Sequence, residues 1–156
     1  MFSRLISAVV VCGLLSTAAF AQERQWNLES SDKQVFLVFG VPNIEDVGFS
    51  LWCEVGKGQM AAFMPENQVP LKAGESVAML ISVDGKQQTL RGIVAKDAAS
   101  GQRIVEGKFS LKDILISRLQ TGQSLSVSVK GHTHTFPFGN ADFAGLLSAC
   151  KGEDAN

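Results

Sequence analysis

The only imidazoles in the chain are His132 and His134. On a β-strand, residues two apart point to the same face, so this pair projects side by side. Two such rings can share a metal ion, and either can act as a pH-sensitive contact. A zinc site, however, draws three or four ligands from separate elements. The pair also lies beside Lys130-Gly131, a turn signal, where polar residues on a solvated strand end are the ordinary reading. No metal is therefore assigned, and His132 and His134 stand as weak candidates. Glu45-Asp46, Glu54, Glu66 and Glu75 are available to act as an acid and a base, but adjacent carboxylates on a loop are usually solvated charge. The chain has no Gly-x-Ser-x-Gly elbow, no glycine-rich phosphate loop and no His-Glu-x-x-His. No catalytic residue is assigned, no cofactor is implied, and a small enzyme remains only an alternative.

The other reactive side chains are cysteines, at 12, 53 and 150. Cys12 falls in an N-terminal segment with export character. Arg4 supplies positive charge, Leu5 to Leu15 is apolar, and Ala19-Phe20-Ala21 offers small residues for cleavage before Gln22. Leu5 to Ala21 is short for a membrane span, which needs about 20 apolar residues. Val9 to Val11 lacks the small residue that precedes a lipid-modified cysteine. The segment 1–21 thus reads as a signal peptide, 22–150 as one secreted domain and 151–156 as a polar tail. Cys53 and Cys150 remain, and an oxidising compartment, periplasmic or extracellular, favours their bridging.

With Arg4 removed, 13 basic residues face 15 acidic ones, with no basic stripe, which argues against nucleic acid as a partner. No later apolar run approaches spanning length. A chain of this size fits one domain.

The elements that position these side chains are mainly strands. In the stretch from Gly48 to Val55, alternation puts Phe49, Leu51, Cys53 and Val55 on one face and Trp52 on the other. Strands are also expected at Gln34 to Val41, Gln59 to Met64, Val77 to Val83, Thr89 to Ala95, Arg103 to Phe109, Leu125 to Val129 and Thr133 to Phe138. Asp84-Gly85 marks a type I′ turn. Ser110 with Asp113 reads as a helix start, Leu111, Ile114, Leu115 and Leu119 as its stripe, and Gly122 as its stop. Asn140 is the expected N-cap of a second helix whose stripe is Phe143, Leu146, Leu147 and Cys150. Both cysteines then occupy core-facing positions, and a bridge ties the C-terminal helix to a strand. The fold class is mainly β, an antiparallel sandwich or partly open barrel with one or two short helices.

Two segments resemble each other. Leu71-Lys-Ala-Gly-Glu-Ser-Val77 parallels Leu119-Gln-Thr-Gly-Gln-Ser-Leu125, and Ser82-Val-Asp-Gly-Lys-Gln-Gln-Thr-Leu90 parallels Ser128-Val-Lys-Gly-His-Thr-His-Thr-Phe136. The two-residue difference between the blocks preserves strand parity, so the same face stays buried. Two related hairpins are expected, each entered through a Leu-x-x-Gly-x-Ser turn, with Lys86 and Gln88 matching His132 and His134.

The segment Thr135-Phe-Pro-Phe-Gly-Asn-Ala-Asp-Phe-Ala-Gly-Leu-Leu-Ser-Ala-Cys150 resembles the closing strand and helix of the invasion-associated locus B family. The chain also shares that family's plan of signal peptide, Trp-containing first strand and β-rich body. The resemblance implies a small exported protein of a Gram-negative bacterium. The closely spaced mid-chain cysteines associated with the family are missing, and no functional residue carries over. The function expected is non-enzymatic binding to another envelope or host protein, with a periplasmic hydrolase inhibitor as the narrower version. The loop Gly40 to Gly48, with Ile44, Glu45 and Asp46, is the first candidate surface. Trp52 is the second, as an interface anchor, unless a helix or loop covers it.

Overall fold

The computed structural model describes residues 23–44, 46–98 and 100–152. The export segment 1–21, the cleavage point before Gln22, Glu45 and most of the polar tail lie outside the described residues. The strands are β1 (Gln25–Ser30), β2 (Gln34–Val41), β3 (Asp46–Glu54), β4 (Gln59–Pro65), β5 (Ser76–Val83), β6 (Lys86–Lys96), β7 (Arg103–Ser110), β8 (Ser124–Val129) and β9 (His132–Pro137). They form one nine-stranded antiparallel sheet in the order β1-β2-β3-β4-β7-β6-β5-β8-β9. The sheet curls into a half-barrel, which is the partly open barrel of the two expected architectures.

Alternation decides the inner face. Phe49, Leu51 and Cys53 on β3, Met60, Ala62 and Met64 on β4, and Leu125, Val127 and Val129 on β8 are all buried. Each large apolar side chain moved from water into such a core is worth about 1.5–3 kcal/mol before entropy is counted. An aromatic group fills the open side. Trp26 packs against Phe39, Phe49 and Phe143, and Phe136 stacks on Phe49 with centroids 5.2 Å apart.

Trp26 also draws the two sheet edges together. Its Nε1 donates to the carbonyl of Pro137 at the end of β9, at 2.7 Å. Its backbone N–H donates to Asn140 Oδ1, and Asn140 Nδ2 donates back to its carbonyl. The Asn140 amide so occupies main-chain groups that an edge strand leaves open to foreign pairing. This corrects the expected role of Asn140 as a helix cap. Asp142 caps α2 (Phe143–Lys151) instead, accepting from Gly145 N–H at 2.8 Å. Likewise Asp113, and not Ser110, caps α1 (Ile114–Thr121) by accepting from Leu115 N–H at 2.9 Å. Lys151 belongs to α2 and Gly152 caps it, so the tail begins later than expected.

The buried stripe of α2 is Phe143, Leu146, Leu147 and Cys150, as its spacing predicts. It lies against β1 and β2, and the Cys53–Cys150 disulfide joins it to β3 with the two Cα atoms 5.8 Å apart. Among the described residues, no helix is long and apolar enough to cross a membrane.

The β2–β3 connection is shorter than the expected loop of 40–48. Gly40 pairs with Val47 and Val41 with Asp46, leaving only residues 42–45 outside the ladder. Gly40 permits this approach, since a Cβ there would overlap the carbonyl oxygen of Asp46.

Candidate functional site

Glu66 follows β4 directly. Met60, Ala62 and Met64 face inward, and the same parity carries past Pro65 to Glu66. Its side chain is 0% exposed. An ionised carboxylate in such a place costs several kcal/mol unless it is paired and hydrogen-bonded. Glu66 meets both conditions. Oε1 accepts from the Gln68 backbone N–H at 2.6 Å. Oε2 lies 3.0 Å from His132 Nδ1 and 3.0 Å from His134 Nε2.

The two histidines reach Glu66 because they occupy the inward face of β9, as their i, i+2 spacing predicts. They pair across the ladder with Val129 and Val127, both buried, and are followed on that face by Phe136. The rings meet edge to face, with centroids 4.5 Å apart. The reading of this pair as a solvated strand end is therefore corrected: both side chains are half-buried and point at an enclosed carboxylate. The curl of the sheet is responsible, because it turns the end of β9 toward the segment that follows β4.

That segment is held by several bonds. Glu66 N–H donates to the Arg103 carbonyl at 2.8 Å, and Arg103 Nε donates to the Leu71 carbonyl at 3.3 Å. The β8–β9 turn is tied to the same loop. Lys130 Nζ donates to the Pro70 carbonyl at 3.0 Å and pairs with Glu75 Oε1 at 2.7 Å. Lys130 and Gly131 have φ of 49° and 84°, as a type I′ turn requires. These bonds link the two halves of the site to each other.

Burial pushes the Glu66 carboxyl up. Hydrogen bonds from His132, the Gln68 N–H and His134 pull it down further, so it rests below the usual carboxylate range. With the carboxylate ionised, both rings donate to it when His132 carries its proton on Nδ1 and His134 on Nε2. These same two nitrogens and Oε2 are the lone-pair donors that a metal would take. They lie within 4.8 Å of one another. The two 3.0 Å separations approach the edge of about 3.3 Å expected for a tetrahedron of zinc bonds near 2.0–2.1 Å. Binding an ion there requires that the protons leave those two nitrogens and that the three groups reorient until their lone pairs converge on one point.

A polar cleft of about 200 Å³ adjoins the cluster, lined by His134 and Phe136, by Pro65, Asn67, Gln68 and Gln102, and by Arg24 and Asp46. Arg24 Nε and Nη2 donate to the two Asp46 oxygens at 2.7 and 2.6 Å. The guanidinium holds the Asp46 carboxyl below its ordinary value. No serine hydroxyl is bonded to either imidazole among the described residues.

The binding residues expected from the sequence do not form one surface. Ile44 is 61% exposed in the short β2–β3 turn, Asp46 is committed to Arg24, and Glu45 lies outside the described residues. Trp52 is half-buried on the outer face of the sheet. It stacks on Phe36 with centroids 5.9 Å apart, and its Nε1 donates to Glu106 Oε2 at 3.3 Å. Phe36, Val38, Trp52 and Phe63 line an open apolar groove of about 350 Å³. No helix covers it. Glu66 is the residue whose part in the site sequence reasoning missed. Its signal was the unbroken even-numbered parity of β4, hidden by reading the strand as ended at Pro65.

No protein-family model, curated protein or solved structure matches the chain.

Proposed function

We propose that the chain is an exported, non-enzymatic binding domain of the bacterial envelope, and that the ligand its geometry fits best is a divalent metal ion of the zinc class. The observation that carries this reading is the convergence of His132 Nδ1 and His134 Nε2 on one oxygen of the enclosed Glu66. Two imidazoles and a carboxylate are a ligand set that zinc takes readily. The Cys53–Cys150 disulfide fits an oxidising compartment, and the export signal read at 1–21 agrees with it.

Purified mature protein, oxidised and freed of metal, should take up one equivalent of Zn2+ in a calorimetric titration. His134→Ala and Glu66→Gln should each weaken that binding at least a hundredfold, about 2.7 kcal/mol. Unchanged uptake in both variants, or none in the parent protein, would overturn the metal reading. The three groups would then serve only to satisfy a buried carboxylate.

A second reading has its own observation, the uncovered Phe36–Trp52 stack. An aromatic pair in an open groove suits the anchor of a protein partner, whether of the envelope or of a host. The short β2–β3 connection argues less well for a loop inserted into a hydrolase cleft.

A further inference from the structure

We infer that the Glu66–His132–His134 centre, once metal-loaded, keeps an open coordination position that is completed by a small carboxylate-bearing ligand seated in the adjoining cleft. This rests on the metal reading above and extends it to the ligand the metal would present.

Three features point the same way. First, among the described residues the cluster has three donors, whereas structural zinc sites are closed by four and open ones keep three plus a water or substrate. Second, access is one-sided. The Glu66 side chain is fully enclosed, while those of His132 and His134 are 37% and 33% exposed. A metal bound by Glu66 Oε2 and the two rings therefore has its remaining position on the side of the imidazoles, away from the core. Third, His134 also lines the polar cleft, together with Asn67, Gln68 and Gln102. At about 200 Å³ the cleft is smaller than the roughly 300–1,000 Å³ typical of drug-sized pockets, which limits the ligand to a few carbon atoms.

Charge selects the ligand class. A divalent ion with one carboxylate leaves the centre with a single net positive charge, and Arg24 and Asp46 beside it neutralise each other. A monoanion balances this in a partly desolvated site, and an oxygen donor suits the ion. The side-chain amides of Asn67, Gln68 and Gln102 can hydrogen-bond the body of such a molecule.

The test uses the mature, oxidised protein loaded with Co2+, whose visible absorption reports its coordination shell. Titration with sodium acetate should change that spectrum saturably in the millimolar range. Acetamide, of the same size but neutral, should change it at least tenfold less effectively. A Co2+ spectrum indifferent to acetate, or equally responsive to acetamide, would overturn the carboxylate inference and leave the metal reading standing. Failure of the parent protein to bind Co2+ would overturn both.

Discussion

The hairpins β5–β6 and β8–β9 are built alike and used differently. Both turn through type I′ pairs, with Asp84 and Lys130 at φ of 47° and 49° ahead of a positive-φ glycine. They lie side by side in the sheet through β5 and β8, and Leu90 and Phe136 occupy the same buried position in each. At the matching inward position near the turn, Gln88 of the first hairpin donates to the α1 cap Asp113 at 2.9 Å, while its Oε1 is buried without a protein partner. His134 of the second meets Glu66, all of whose oxygens are engaged. The turn residues diverge as well. Asp84 accepts from the N–H groups of Gln123 and Ser124, whereas Lys130 reaches the loop that carries Glu66. A repeated frame thus carries an architectural contact at the centre of the sheet and a ligand-type cluster at its edge.

The largest effect should come from the frame both hairpins share. Replacing Cys53 and Cys150 together with Ala opens a loop spanning 97 residues and should cost about 2–5 kcal/mol in urea unfolding. Metal affinity at low temperature should survive, because the bonds that hold Glu66 and β9 do not pass through the disulfide. Loss of metal binding in the folded double variant would tie the site to α2 and weaken the distinction.

A graft probes the hairpins directly. In a His132→Ala, His134→Ala background, Lys86→His with Gln88→His recreates the spacing on β6. The carboxylate there, Asp113, already accepts from the Leu115 N–H as the helix cap. Zn2+ affinity, read by competition with a chelating dye, should be at least a hundredfold below that of the native centre. Affinity within tenfold would mean that paired histidines suffice and that Glu66 is dispensable.

The smallest effect concerns the turn itself. The Lys130 ammonium, with the Lys72 N–H, holds the Glu75 carboxyl below its usual value. A carboxyl lowered in the folded state stabilises above its unfolded pKa of about 4.3 and loses that contribution as pH falls through the folded value. Lys130→Ala should therefore slightly reduce stability at neutral pH and converge with the parent protein in acid. Parallel stability curves from pH 7 to pH 3 would show that the ion pair adds nothing.

The resemblance between the two hairpins was legible in their residues, yet their entries differ in conformation. Gly74 takes φ of 82° in a loop, while Gly122 is an extended C-cap of α1, where a Cβ would meet Val83 and Phe138. The shared Leu-x-x-Gly-x-Ser pattern specified where each chain turns, not how it arrives. Leu71 and Leu119 are both buried all the same, because the apolar anchor is common to both solutions.

Local pattern by itself determined strands β2 to β9, though not β1, where only Trp26 is buried, and with them the turn type at Asp84-Gly85, the inward faces of Cys53 and Cys150 and the shared face of His132 and His134. Each follows from parity or helical spacing over a few residues, which sequence encodes directly. The meeting of those histidines with Glu66 was decided only by tertiary structure. In the sheet, β4 and β9 are separated by β7, β6, β5 and β8, so no local pattern links them. Strand twist, accumulated across the sheet, curls its edge back over the interior and brings residues 66 and 132–134 to one point.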